Sequence, residues 1–297
     1  MKFLFKENAA GIVFALPFII GFLAFLIAPM LISLYYSFTE FNLLRDPSWI
    51  GTGNFARMLN DEWLHGSFRA TFYFAFTSVP LRIIFALIVA LLLLKSTKMM
   101  GIYRAMYYLP SILGGSVAVA ILWRQMFFVT GTVNSLLGVV GLNRGFAWLG
   151  HPHSAMWTLI LLAVWQFGSS MLIFLASLKQ IPQTYYEAAR IDGGGKIRIF
   201  FKITLPLITP AIFFNTVMQT INGFLAFNQA FLVTGGGPGG PMGATNFFAL
   251  YMYNQTFLFQ NAGYAAAMAW VMLGILAFFT CVLFATKRFW VYEGGFS

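Results

Sequence analysis

The sequence predicts an all-α integral membrane fold with six transmembrane helices, and three observations carry that prediction. Of 297 residues 60% are hydrophobic and 9% charged, against roughly 45–50% and about 25% in an ordinary soluble domain, which excludes a water-soluble globule. Six apolar stretches free of Asp and Glu are each long enough to cross a bilayer. The Lys and Arg behind the net charge of +10 gather at the ends of those stretches, so the charge reports topology in a membrane and no nucleic-acid partner is expected.

The spans are expected at about 10–38, 70–94, 104–129, 155–178, 203–233 and 264–286. The first is expected to be retained, because its apolar run is too long for a signal peptide and continues through Pro29 to Tyr35 without a small-residue cleavage site. Lys2, Lys6, Lys95, Lys98, Arg104, Lys179, Arg190, Lys196, Arg198, Lys202, Lys287 and Arg288 then fall on one side. Arg45, Arg57, Arg69, Arg124 and Arg144 fall on the other. Twelve against five puts both termini in the cytoplasm. Residues 1–297 read as one membrane domain, and the single Cys281, inside an apolar run, excludes an intramolecular disulfide.

Of the external segments, residues 39–69 hold four of the eight acidic residues and the turn-like WIGTGNF at Trp49–Phe55, which suggests a small folded cap. Residues 234–263 carry no charge and begin GGGPGGP at Gly235–Pro241, a loop or re-entrant turn whose backbone needs water or protein partners. The cytoplasmic segment between spans four and five, residues 181–206, is the most patterned. Thr184 and Glu187 have capping-box spacing and predict a short helix over Tyr185–Asp192, stopped by Gly193, Gly194 and Gly195. KIRIFFKI at Lys196–Ile203 then leads into span five at Leu205–Pro206. Such a helix, tied closely to two spans, could carry a push from a soluble partner into the membrane, or could lie at the lipid headgroups as basic amphipathic segments do.

At these residues the sequence resembles a family. Glu187-Ala188-Ala189, then Gly193, then Ile203 and Leu205-Pro206 match the fixed positions of the EAA loop in permease subunits of binding-protein-dependent ABC importers. YRAMYYLPSIL at Tyr103–Leu113, WRQMF at Trp123–Phe127, AWLGHP at Ala147–Pro152, TGGGP at Thr234–Pro238 and GYAAAMAW at Gly263–Trp270 extend the likeness toward the carbohydrate-importing branch. The resemblance implies that Glu187, Ala188, Ala189, Asp192 and Gly193 form a coupling helix seated on a cytoplasmic ATPase. It further implies a second homologous permease, two ATPase subunits that bind ATP and Mg, an extracytoplasmic solute-binding protein and a sugar cargo, in the plasma membrane of a bacterium or archaeon. The chain has Gly194 where the family usually has Ala, and it lacks the extra spans and large external domain of the maltose permease.

No cofactor is expected in this chain, because GGGKI at Gly193–Ile197 has neither the spacing nor the hydroxyl of a P-loop. An ion-coupled carrier usually keeps carboxylates or His in its spans, whereas every Asp, Glu and His here lies in a loop or terminus; sodium coupling through carbonyls and hydroxyls, or a channel, stays open as the alternative class. No catalytic arrangement is visible at membrane depth, and His65, His151 and His153 read as loop histidines, so no metal site is expected.

Polar groups inside spans are the candidate pathway. Asn215, Gln219 and Asn222 form a stripe along span five, with Asn228 and Gln229 beyond it, and Trp165, Gln166 and Ser169 lie in span four. The resemblance implies a pocket in the helices flanking the EAA loop, which raises Gln219, Asn222, Trp165 and Gln166, with Ser169 kept as a further pathway candidate. Amides offer a sugar both donors and acceptors, and Phe224 and Phe227 offer faces for stacking. The competing reading is hydrogen bonding between helices, and a polyol or glycerol phosphate would suit the same groups. Arg82 sits in span two with no carboxylate in any span to pair with it; a carbonyl, a partner subunit or an anionic substrate could face it, and structural pairing is the expectation, so the cargo is not read as acidic.

Overall fold

The computed structural model describes residues 2–94, 99–142, 145–235, 237 and 239–292, with side chains from Gly11 onward. Lys95, Lys98, Arg144, Gly236 and Pro238 lie outside the described residues, as do the side chains of Lys2 and Lys6. Helix α1, Lys2–Phe22, passes through a π turn, Leu23–Ile27, into α2, Ala28–Ser37. In that turn the Ala28 amide reaches back to the Leu23 carbonyl, one residue further than an α-helix would, and this widening admits Pro29, which has no amide to give. A strand pair follows, β1 at Thr39–Glu40 and β2 at Ser48–Trp49, then the short α3, Gly53–Met58.

Helix α4 runs over Glu62–Leu92, and α5, Met100–Leu113, turns by 98° into α6, Val117–Met126. Pro110 and the Gly114–Gly115 pair account for that corner, and the Ser116 hydroxyl caps α6 by accepting from the Val119 amide at 3.4 Å. Then come α7, Thr132–Val139, α8, Pro152–Trp165, and α9, Gly168–Gln180. Helix α10, Gln183–Ile191, leads to α11, Lys196–Ile199, a second π turn over Phe200–Thr204 placed just before Pro206, and α12, Leu205–Leu207. The chain bends by 63° into α13, Thr209–Phe224. Last are α14, Asn228–Val233, α15, Phe248–Phe257, and α16, Ala262–Trp290.

Four helical stretches are long and apolar enough to cross a membrane, Gly11–Ser37, Glu62–Leu92, Pro152–Gln180 and Ala262–Trp290, and six are if each bent pair counts as one. Several details depart from the sequence reading. The third span is two helices at nearly a right angle. The fifth stops at Phe224, so Asn228 and Gln229 belong to the separate α14. Helix α4 begins inside the segment expected to be external, and α15 occupies part of what was expected to be a loop. The Thr184 capping box does not form: α10 starts directly after Pro182, whose backbone is extended, and no side chain caps it.

Contacts divide the chain into two compact units. In the first, residues 1–61 and 252–274, Thr39 pairs with Trp49 and Glu40 with Ser48. Buried Asn54 donates to the carbonyls of Ser37 and Thr39 at 2.9 Å each. The Tyr264 hydroxyl donates to Asp61 at 2.6 Å beneath the Arg57 guanidinium, 4.3 Å from the ring centre. Next to it, Gly263 packs so close to the Thr39 carbonyl that no side chain fits.

In the second unit, residues 62–251 and 275–297, α4 packs against α8, α9 and α13. One apolar cluster gathers Phe74, Leu159, Leu162, Phe247 and Leu250. The other gathers Phe167, Met171, Phe174 and Ile208, with Tyr186 and Leu205 against it.

Candidate functional site

Three helix breaks in the second unit converge on one cavity of about 350 Å³. Gly115 lies in the α5–α6 corner, Gln166 at the α8–α9 break, and Leu225, Ala226 and Phe227 in the interruption between α13 and α14, and all of them line it. Broken helices leave backbone groups without intrahelical partners, which a membrane protein tolerates where they face protein or a water-filled space.

Here the stitching is specific. The Ser111 hydroxyl donates to the Gln166 carbonyl and accepts from the Ser169 amide, each at 2.9 Å, so one α5 side chain spans the α8–α9 break. Its approach is allowed by Gly168, where a Cβ would lie 2.5 Å from the Tyr107 carbonyl and 2.7 Å from the Tyr108 Cα. The Gln166 amide donates to the Gly114 carbonyl at 3.0 Å, and its side-chain oxygen accepts from Gln229 at 3.3 Å. Gln166 thus joins all three breaks.

Of the candidate pathway residues, the structure brings Gln166, Gln219 and Asn222 together in the cavity lining. Gln219 is buried and donates to the Ser170 hydroxyl at 3.0 Å, while its oxygen has no partner among the described residues. Asn222 is exposed, and Asn228 and Gln229 complete the amide lining. Trp165 and Ser169 are not in the lining: Trp165 packs on Trp123 with ring centres 5.6 Å apart, and Ser169 serves the break through its amide. Asn215 is fully buried and donates to the Ala211 carbonyl of its own helix at 3.0 Å. The expectation that Phe224 offers a face to a sugar is overturned, because it is 1% exposed and packs edge-on to Phe72 at 5.0 Å; Phe227 does line the cavity.

Arg82 also lines the cavity, together with Ser78, which the sequence reading passed over. Its Nη2 donates to the Gln166 carbonyl, one of the partner types weighed for it from the sequence, and this carbonyl lies at the α8–α9 break. A charge at this depth costs about 2.5–3.5 kcal/mol on insertion scales, and one such bond to a neutral acceptor offsets part of it.

The second candidate element is α10. Glu187, Ala188, Asp192 and Gly193 are exposed and Ala189 half-buried, and Ile191 beside them is 87% exposed. The helix closes in a Schellman motif, with the Gly194 amide donating to Ala189 at 2.8 Å and the Gly193 amide to Arg190 at 3.1 Å. Gly193 has φ +75, a conformation that glycine adopts without cost. On its inner side the Tyr186 hydroxyl lies 3.3 Å from the Thr204 hydroxyl and the ring packs on the Phe174 and Ile208 cluster. The helix is thereby fixed to the base of α13 and open outward. At Gly194 a Cβ would lie 2.6 Å from the Ala189 carbonyl.

Comparison with known proteins finds relatives along nearly the whole chain. The family described as "Binding-protein-dependent transport system inner membrane component" matches residues 50–289. The chain is 51% identical over 288 residues to the "Probable ABC transporter permease protein YesP" of Bacillus subtilis (strain 168), covering 97% of this chain and 93% of that protein. It is 33% identical over 283 residues to the "Lactose transport system permease protein LacF" of Rhizobium radiobacter, covering 94% of each. Among solved structures, a chain of a bacterial alginate ABC transporter, in complex with an alginate pentasaccharide-bound periplasmic protein, superposes with a TM-score of 0.83 at 21% identity, covering 95% of each chain. The fold is shared with it.

Proposed function

The chain belongs to the family of binding-protein-dependent transport system inner membrane components, and from that premise we propose that it is the permease subunit of an ATP-driven importer whose cargo is a sugar or oligosaccharide. The observation that carries the reading is α10, a short helix left open outward, closed by its own glycine turn and held through Tyr186 to the Phe200–Thr204 turn that leads into the helix lining the cavity. A passive pore would have no use for it. Relatives named for lactose, trehalose and maltose, and arabinooligosaccharides support the cargo class, as does a lining of neutral amides, which suits hydroxyl-rich solutes.

In this reading Glu187, Ala188, Ala189, Asp192 and Gly193 seat on one of two cytoplasmic ATPase subunits, and a second permease completes the pathway. Both termini and α10 lie in the cytoplasm, in accord with twelve basic residues on that side of the chain. An extracytoplasmic binding protein delivers the sugar. Closure of the ATPases moves α10, the push enters α13 through the Tyr186–Thr204 contact, and the cavity lined by Gln219 and Asn222 changes the side to which it opens.

The test is purification of the tagged chain in mild detergent, identification of what accompanies it, and sugar uptake after reconstitution. A second permease and an ATPase, with uptake that needs ATP, are expected. Recovery of the chain alone, moving solute without ATP, would overturn the reading in favour of an ion-coupled carrier or channel.

A further inference from the structure

Arg82 holds the Gln166 carbonyl, and that contact leaves most of its donors unused. A guanidinium carries five N–H groups. Among the described residues Arg82 makes the single bond to Gln166, and its Nε is buried with no partner. Among the described residues it is the one charged group in the cavity lining, with no Asp or Glu beside it; the remaining polar groups there are Ser78, Gln166, Gln219, Asn222, Asn228 and Gln229. A cation with no counter-ion among the described residues of this chain, set among groups that recognise hydroxyls, is complementary to a sugar that brings the anion. Resting on the importer reading above, we propose that Arg82 is a specificity-determining residue that selects cargo bearing a carboxylate, a sugar acid or an oligosaccharide containing one.

Charge arithmetic favours a carboxylate over a phosphate. One carboxylate neutralises one guanidinium, whereas a phosphoryl dianion would leave a net negative charge beside Phe74, Val79 and Phe227, and an uncompensated buried charge is costly. The planar fork of Arg also matches the two oxygens of a carboxylate. The bond to Gln166 fixes one Nη and so orients the guanidinium before cargo arrives.

The experiment uses the whole complex of this chain with its partner permease and ATPases, in lipid nanodiscs and without the binding protein, whose own selectivity would otherwise be read. Equilibrium dialysis compares two matched pairs, cellobiouronate with cellobiose and digalacturonate with its carboxyl-reduced form, and adds cellobiose 6-phosphate. In at least one pair the acid is expected to bind about tenfold more tightly than its neutral partner, the factor expected of a charge-assisted bond. Arg82→Gln is expected to bring that pair to parity by weakening the acid alone, and Arg82→Lys to keep part of the preference. Equal affinities in the wild-type complex, binding of no member of either pair, or a preference that survives Arg82→Gln would overturn the proposal. Tighter binding of the phosphate than of the acid would overturn the carboxylate assignment. The wild-type comparison decides the matter even where Arg82→Gln fails to assemble. ATP-dependent uptake of neutral sugar with no preference for acids would sink this inference and leave the importer reading standing, whereas a chain purified without an ATPase would sink the latter.

Discussion

Replacing Gly193 in steps separates the shape of α10 from its surface. The residue has φ +75, and no atom lies within 4 Å of where a Cβ would be, so a substitution there meets backbone strain and no neighbour. Left-handed backbone costs an L-residue about 1–2 kcal/mol, less for Asn and more for a β-branched residue. An Ala would therefore lower the weight of the closed helix end by about 5- to 30-fold, and Val by more. Because α10 holds to the rest of the chain mainly through Tyr186, little else restores the turn once it opens. Uptake per ATP hydrolysed, measured in proteoliposomes holding the complete importer, is expected to fall in the order Gly193, Asn, Ala, Val. Wild-type uptake in Gly193→Val would refute the reasoning. Equal and complete loss in all three variants would also refute it, by showing that the surface at 193 matters and the bend does not.

Three further outcomes follow from the same geometry. Gly168→Ala is expected to destabilise the protein by about 1–3 kcal/mol through overpacking, because the atoms it meets are α5 backbone, whereas Gly66→Ala, with open space around it, should be neutral or stabilising; thermal unfolding in detergent compares the two. Asn222→Ala is expected to weaken sugar binding by about 2- to 12-fold, the worth of one net hydrogen bond, while partner subunits still co-purify; unchanged affinities across a panel of sugars would remove Asn222 from the pathway. Tyr186→Phe removes the contact with Thr204 and keeps the packing, so it should lower uptake relative to ATP hydrolysis while thermal stability falls by no more than about 1.5 kcal/mol. A proportionate fall in both activities would show that the hydroxyl serves folding only.

What was legible in the sequence follows from what each signal reports. The long apolar runs marked α4, α8 with α9, and α16 to within a few residues, except at Glu62–Arg69, where polar residues hide the first two turns of α4. The α5–α6 corner was written in Pro110, Gly114, Gly115 and Ser116, yet hydropathy averages across it. The interruption at Leu225–Phe227 has no Pro or Gly of its own to announce it. Thr184 and Glu187 had the spacing of a cap, but buried Ile181 and extended Pro182 start the helix two residues earlier than a Thr184 cap allows. The glycine stop at 193 was readable because few other residues take that backbone. The convergence of three breaks on Gln166 was not, since its partners Gly114 and Gln229 are 52 and 63 residues away along the chain.

The closed end of α10 has a consequence for how partners meet. A segment that folds only on its receptor must lose about 1–2 kcal/mol of backbone entropy for every residue it orders, and it binds more weakly for the same contact area. The nine residues of α10 are already helical, and the glycine turn satisfies the carbonyls of Ala189 and Arg190 internally. On the importer reading proposed above, association of α10 with a soluble subunit would then be fast and reversible on a small surface, and that surface could be rebuilt with different side chains at Tyr185, Ile191 or Ile197 while the scaffold beneath them stays the same.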